Sequence, residues 1–157
     1  MKSTESVLQT IGKTKVISII RGIETIHAAS VIQALSAGGI KALEITMNTP
    51  GALSLIERAS SMDGIIVGAG TVLDLQMAKD SISSGAKFVL SPSLDVRVIE
   101  YCLSCGVLPV PGVFTPTELY TAFSAGAELI KIFPAGSVGP QYIKDLLGPF
   151  NGRKLLP

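Results

Sequence analysis

The sequence predicts an α/β protein built as a (β/α)8 TIM barrel, and three observations lead to this fold class. Short apolar runs recur along the chain, a glycine precedes each run, and amphipathic stretches with helix-start residues separate the runs. The marker glycines are 20 to 26 residues apart, which is the length of one strand-plus-helix unit with short loops. Tandem units of this kind favour a parallel sheet. The marker glycines are Gly12, Gly38, Gly64, Gly85, Gly106 and Gly126.

Each marker glycine indicates the passage from a helix to a strand. A glycine just beyond a helix takes the left-handed conformation without steric cost. A serine commonly stands before the glycine, as in "SAGGIKALEI" (36–45) and "SAGAELIKIF" (124–133). We therefore expect six strands, each followed by a helix. Their predicted ranges are 16–20, 40–46, 65–69, 87–91, 107–110 and 128–133.

Helix-start chemistry follows several of these strands. "FTPTEL" offers Thr115 as N-cap, Pro116 at the first helical position and Glu118 to close a capping box. "NTPGAL" repeats the Thr-Pro start at Thr49 and Pro50. Near-uniform spacing and a polar residue after nearly every strand favour a barrel over a doubly wound sheet.

The units account for residues 1–157 as one domain, in keeping with a chain of this length. A seventh unit begins at "GRKLLP" (152–157). Because a closed barrel of this type has eight units, we expect a barrel truncated after about six and a half units, with its C-terminal units missing.

Composition argues against several classes of partner. Hydrophobic residues make up 47% of the chain and charged residues 16%, so much of the chain is expected to be interior. With a net charge of +1 and no basic cluster, neither nucleic acid nor an anionic membrane is an expected partner. No run approaches the roughly 18 apolar residues of a membrane span. Lys13 and Lys15 interrupt the first apolar stretch, so this stretch does not have the pattern of an export signal. We therefore expect a cytoplasmic protein.

Neither the cysteines nor the histidine indicates a cofactor or a metal. Cys102 and Cys105 form a C-x-x-C pair without a second ligand pair, and His27 is the sole histidine. The pair comes just before Gly106, at a helix C-terminus, where the dipole does not favour a thiolate. We expect ordinary packing for both cysteines, and for His27 a surface position or a satisfied one rather than a ligand role.

A lysine in an apolar strand is the residue that most needs explanation. In "GAELIKIFPAG" (126–136), Lys131 stands among leucine, isoleucine and phenylalanine. Because strand side chains alternate in direction, Lys131 shares a face with Leu129 and Phe133. In "ALEIT" the same alternation puts Glu44 with Ala42 on one face. Two strands thus direct one amine and one carboxylate into the same barrel interior.

This pairing predicts Schiff-base chemistry. Burial disfavours an ammonium, and only a neutral amine attacks a carbonyl. Carbinolamine formation and dehydration also need a proton carrier, for which Glu44 is available. The alternative is a buried Lys131–Glu44 ion pair that only holds the barrel together. "VGAGTV" (67–72) lacks the last glycine of the dinucleotide fingerprint and says little about nucleotides.

Six motifs, in order along the chain, resemble the 2-keto-3-deoxy-6-phosphogluconate (KDPG) and 4-hydroxy-2-oxoglutarate (KHG) aldolase family. They are "GGIKALEITMNTP", "IVGAGTVLD", "GAKFVLSPSLD", "LPVPGVFTPTEL", "ELIKIFPAG" and "GPQYIKDLLGPF". The resemblance implies a class I aldolase on a (β/α)8 barrel, self-associating as a homotrimer and needing no metal or other cofactor. The implied ligand is a small-molecule 2-keto acid sugar phosphate.

The resemblance also assigns roles to five residues. Lys131 takes the Schiff-base position and Glu44 the general acid/base position. Thr71 matches a residue at the keto-acid end of the substrate, Pro92 a wall of the same pocket, and Arg21 an arginine that holds the substrate in some members.

Two departures from the family pattern bear on substrate choice. Asn48 stands where some members have an arginine, which leaves carboxylate binding to Arg21 and Thr71. The glycine-rich phosphate cradle expected after strands seven and eight is not in this sequence. The implied reaction is cleavage of KDPG to pyruvate and glyceraldehyde 3-phosphate, with KHG cleavage to pyruvate and glyoxylate beside it. The alternatives are a 2-keto-3-deoxy-6-phosphogalactonate aldolase and an inactive fragment that only self-assembles.

Overall fold

A computed structural model describes residues 4–157, and helices and parallel strands alternate along them. The strands are β1 Ser18–Ile20, β2 Ala42–Thr46, β3 Ile66–Gly70, β4 Phe88–Leu90, β5 Leu108–Val110, β6 Gly112–Val113, β7 Leu129–Ile132 and β8 Lys154–Leu156. The helices are α1 Thr4–Thr14, α2 Thr25–Ala37, α3 Ala52–Ser60, α4 Leu75–Ser83, α5 Val96–Ser104, α6 Pro116–Ser124 and α7 Gly139–Leu147. A short 3₁₀ turn, Ala135–Ser137, follows β7. No helix in this part of the chain is both long and apolar enough to span a membrane.

The strands lie side by side in the order of the sequence. β1 to β5 form one parallel set, and β6 to β8 form a second. Pro111 separates β5 from β6, and its carbonyl accepts a hydrogen bond from the Lys131 N–H at 2.9 Å. β5 and β6 therefore occupy one strand position, and the described residues fill seven consecutive positions of a (β/α)8 arrangement.

Strand alternation separates an inner core from the outer layers. The inner cluster joins Phe88, Leu90, Leu108, Val110 and their neighbours to apolar residues of α1, which packs across this interior. Outward-facing strand residues pack against the helices in two further clusters. Glu44 and Lys131 lie on inward-facing strand positions, as the sequence predicted, because Ala42 and Leu129, two residues before them on the same strands, belong to the inner cluster.

All six predicted strands are present. Five are one or two residues shorter than predicted, and β3 keeps the predicted length but begins and ends one residue later. The seventh strand forms as β8 and pairs with β7. Gly64, Gly85, Gly106 and Gly126 have positive φ and mark the passage from helix to strand as predicted. The prediction is wrong for the first two markers. Gly12 lies inside α1, a helix that the sequence did not predict, and Lys15 takes the left-handed turn in its place. The cap of α2 is Gly38 with a φ of −74°, and Gly39, with a φ of 91°, is the left-handed residue.

One predicted helix start is confirmed and the other is wrong. Thr115 caps α6, whose first residue is Pro116, and Glu118 completes the capping box. Thr49 does not cap α3. Gly51, in a left-handed conformation, is the N-cap there, because the buried Thr49 hydroxyl is bonded to Gly22, just after β1, and to Thr46 of β2.

Candidate active site

The five residues assigned from the sequence gather at the carboxyl end of the parallel strands. Glu44 lies in β2 and Lys131 in β7, whereas Arg21, Thr71 and Pro92 follow β1, β3 and β4. Parallel strands bring these ends to one rim, where barrel enzymes carry their active sites. The structure therefore brings together residues from five different units of the sequence.

Glu44 is a buried carboxylate in a space that glycine leaves open. Its side chain is 1% exposed and lies against the backbone of Gly70. Burial raises the pKa of Glu44 above its ordinary value of 4.5, and the nearby charges of Lys131 and Arg21 oppose that shift. Among residues 4–157, no side chain or backbone N–H donates a hydrogen bond to this carboxylate. A buried acid with a raised pKa and free lone pairs is suited to exchanging protons.

Lys131 is half-buried, so the prediction of a buried lysine is wrong in degree. Its neighbours on the inner face are Gly112, which has no side chain, and Leu156 of β8. The Lys131 Nζ lies 4.7 Å from the centre of the Phe133 ring. In the described structure Lys131 forms no ion pair with Glu44, so the alternative of a direct structural ion pair does not describe this site.

Arg21 and Thr71 meet across the rim. The Arg21 Nη2 donates to the Thr71 Oγ1 at 3.4 Å, and Arg21 is otherwise exposed. Thr71 has a φ of 56°, a left-handed conformation that β-branched residues rarely adopt. The neighbouring N–H of Val72 is held by the Leu90 carbonyl at 3.1 Å. Strain that the surrounding structure enforces is common at functional sites, and here it aims a hydroxyl at the cation of Arg21.

Pro92 forms the rim next to the lysine strand. A side-chain carbon at Gly112 would lie 2.5 Å from the backbone carbon of Pro92, so the two segments touch backbone to backbone. Gly112 in turn pairs with Lys131. Pro92 therefore lies against the strand position next to that of Lys131.

Sequence reasoning missed the glycines that shape this site. Gly70 and Gly112 carry no reactive group, and in "VGAGTV" the sequence assigns a role only to Thr71. The signal was present in the alternation of β3, since Gly68 and Gly70 face the same interior as Glu44. A strand that presents two glycines beside an acid leaves room for that acid.

The cysteines pack against the core and the histidine lies at the surface, two positions that the sequence predicted. Cys102 is buried in α5, and burial, with a further contribution from Cys105, raises its pKa to about 12. That thiol is therefore not a nucleophile at neutral pH. His27 is exposed and lies 3.9 Å from Glu24. Within residues 4–157 no three His, Cys, Asp or Glu side chains cluster as metal ligands.

A cleft of about 960 Å³ lies away from this rim, between α1 and the β7–β8 edge. It is lined by residues such as Leu8, Ile11 and Leu155 and by none of the five assigned residues. The candidate site is therefore defined by side-chain chemistry at the strand ends rather than by this cleft.

Residues 7–157 match the family described as KDPG and KHG aldolase. The chain belongs to the KDPG and KHG aldolase family. One relative is a "Probable 2-dehydro-3-deoxy-6-phosphogalactonate aldolase" of Rhizobium meliloti (strain 1021), 38% identical over 138 residues, with 87% of this chain and 65% of that protein covered. Another is a 2-dehydro-3-deoxy-phosphogluconate aldolase of Treponema pallidum (strain Nichols), 31% identical over 155 residues, with 97% and 73% covered.

A solved member of the KDPG and KHG aldolase family has the same fold. The KDPG aldolase from Legionella pneumophila, with pyruvate captured at low pH as a covalent carbinolamine intermediate, matches with a TM-score of 0.84 and 31% identity. The match covers 90% of this chain and 69% of that one. The predicted barrel class is thereby confirmed. The chain spans about two thirds of the length of the family members that it matches.

Proposed function

We propose that this chain is a class I aldolase that reversibly cleaves KDPG to pyruvate and glyceraldehyde 3-phosphate through a Schiff base on Lys131. The observation that carries the proposal is the pairing of a half-buried amine with a buried carboxylic acid at one end of a parallel sheet. The acid has a raised pKa and no hydrogen-bond donor within the described chain. Membership of the KDPG and KHG aldolase family supports the same chemistry.

The reaction needs one nucleophile and one proton carrier. The neutral Lys131 amine attacks the C2 ketone and forms a carbinolamine, and Glu44 then donates the proton with which water leaves. In the resulting iminium, a base removes the C4 hydroxyl proton, the C3–C4 bond breaks, and its electrons enter the iminium. Glyceraldehyde 3-phosphate departs, the enamine is protonated at C3, and hydrolysis releases pyruvate and the free lysine.

Three further residues are proposed to hold the keto acid. Arg21 supplies a guanidinium for the substrate carboxylate, and the Thr71 hydroxyl beside it supplies a second polar contact. Pro92 closes the side of the pocket near Lys131. The positive charge of Arg21 already acts on Glu44, so binding a carboxylate there also removes part of the field that keeps Glu44 ionised.

A second candidate substrate is 2-keto-3-deoxy-6-phosphogalactonate, which differs in stereochemistry at C4. Asn48 and the nearby Pro50 suit that branch, and the Rhizobium meliloti relative carries that activity in its name. KHG is a third substrate of the same chemistry. Rates of pyruvate release from KDPG, from its galactonate epimer and from KHG rank the three, and the fastest identifies the substrate.

The working form proposed for this enzyme is a cytoplasmic homotrimer without a metal or other cofactor, as its family resemblance implies. Sedimentation of the purified chain measures the assembly state. Activity that survives chelator treatment agrees with the cofactor-free chemistry, and activity lost to chelation contradicts it.

Borohydride trapping tests the covalent step. Incubation with pyruvate and borohydride, followed by peptide mass analysis, is expected to place the reduced adduct on the peptide that contains Lys131. Lys131→Met removes the adduct, whereas the control Lys87→Met, at the opposite end of the barrel, keeps it. An adduct on Lys87 or Lys144, or no adduct at all, overturns the assignment. Self-assembly without an adduct favours the inactive fragment.

A further inference from the structure

Two buried threonine hydroxyls lie directly behind Arg21. Thr46 is 0% exposed and Thr49 is 3% exposed, and their Oγ1 atoms are 3.0 Å apart. The Thr49 Oγ1 accepts the Gly22 N–H at 3.1 Å, and the Thr46 Oγ1 donates to the Ile20 carbonyl at 3.4 Å. Both hydroxyls belong to "ITMNTP" (45–50), where the sequence predicted only that Thr49 caps α3.

The proton positions in this chain of hydrogen bonds follow from its ends. Thr46 donates its single hydroxyl proton to the Ile20 carbonyl, so towards Thr49 its oxygen can only accept a hydrogen bond. Because the Thr46 proton is donated to the Ile20 carbonyl, Thr49, which accepts from the Gly22 N–H, is the donor to Thr46. All donors along this path point the same way, from the Gly22 N–H to the Ile20 carbonyl, and each bond polarises the next.

The two ends of this path are the backbone groups on either side of Arg21. The Ile20 carbonyl precedes that residue and the Gly22 N–H follows it, so both flanking peptide groups are fixed to β2 and its loop. Gly22 has a φ of 64°, which turns the chain immediately after Arg21. The guanidinium of Arg21 reaches Thr71 Oγ1 at 3.4 Å from this fixed base. A long exposed side chain reaches one place reproducibly only if its backbone is held.

We propose that Thr49, acting with Thr46, is a positioning residue that holds Arg21 where it binds the carboxylate of the keto acid. This inference rests on the proposed function, because it assigns Arg21 the carboxylate. Thr49 touches neither the reacting carbon nor Lys131, and its effect passes through the backbone of Arg21. Loss of its hydroxyl leaves the Gly22 N–H without its partner and frees the turn.

The test compares Thr49→Val, which keeps the shape and loses the hydroxyl, with Thr49→Ser, which keeps the hydroxyl. The full chain is titrated with pyruvate under borohydride, and KM and kcat are measured for KDPG. In Thr49→Val, both the half-saturating pyruvate concentration and the KM are expected to rise about 10- to 100-fold. This is the range for losing a hydrogen bond between charged groups, here the one between Arg21 and the substrate carboxylate. The value of kcat is expected to change less than about threefold, and Thr49→Ser to restore the KM.

A double-mutant cycle with Arg21→Ala separates positioning from general stability. If Thr49 acts through Arg21, Thr49→Val has no further effect on KM once Arg21 is alanine. An unchanged KM in Thr49→Val, or an equal KM effect in the Arg21→Ala background, overturns the proposal even when the melting temperature falls. If Thr49→Val does not fold, the same cycle with Thr49→Cys decides, since a thiol is a weak donor and acceptor. An unmodified chain that forms no imine refutes the proposed function instead, and the positioning role falls with it.

Discussion

Replacing Gly70 by alanine is the sharpest test of whether Glu44 must lie where the structure places it. A side-chain carbon at Gly70 would lie 2.5 Å from the Glu44 Cγ and closer still to its carboxylate. Carbon atoms in contact are about 3.5–4.0 Å apart, so the Glu44 side chain must retreat by about 1 Å or more. Glu44 is 1% exposed, and the surrounding barrel interior leaves it little room to do so.

The expected loss of activity is larger than the expected loss of stability. A misplacement of about 1 Å at a reacting group costs about 100-fold in rate. Overpacking of this size lowers the free energy of unfolding by about 1–3 kcal/mol. We therefore expect Gly70→Ala to fold and to release pyruvate from KDPG at least about 100-fold more slowly.

The assay pairs initial rates of pyruvate release with urea unfolding. Gly136→Ala is the matched control, because an added carbon there meets nothing within 4 Å and Gly136 lies in the turn after the Lys131 strand. The control is expected to match the unmodified chain in both measurements. A folded Gly70→Ala variant with near-normal turnover would refute the reasoning, since Glu44 could then be displaced without consequence.

The other predictions concern the charge of Glu44 and two helices. Glu44→Gln is expected to keep the fold and to lower turnover about 100- to 10,000-fold, because the amide cannot carry a proton. The raised pKa of Glu44 means that the folded chain binds the proton more tightly than the unfolded chain, so this contribution to stability is lost as pH rises from about 4.5 through the raised value. As pH rises through this window, the free energy of unfolding measured in urea should therefore increase for Glu44→Gln relative to the unmodified chain. A difference that does not change with pH would contradict a buried Glu44 with a raised pKa. Thr115→Ala should lower the free energy of unfolding by about 1 kcal/mol, since it removes the cap of α6. Gly12→Ala should raise it by about 0.5–1 kcal/mol, because Gly12 lies inside α1 with open space around it, and a loss of stability would show that α1 does not pass through this position.

The sequence alone determined the order of the strands and the direction of the two reactive groups. Strand positions follow from local chemistry, since an apolar run between a turn glycine and a helix start allows few other structures. The inward direction of Glu44 and Lys131 follows from the period of two in a strand. Both features depend on residues close together in the chain, which is why they could be predicted without any contact between units.

The tertiary structure decided how far each group is buried and what it touches. Lys131 is only half-buried, and its neighbour across the sheet is Gly112, a residue from another unit of the chain that offers no side chain to cover it. Thr49 has the sequence signature of a helix cap, yet its hydroxyl is bonded to the N–H of Gly22, 27 residues earlier, and Gly51 caps the helix instead. Burial and hydrogen bonding depend on which segments the parallel sheet brings together, and no local pattern of residues contains that information.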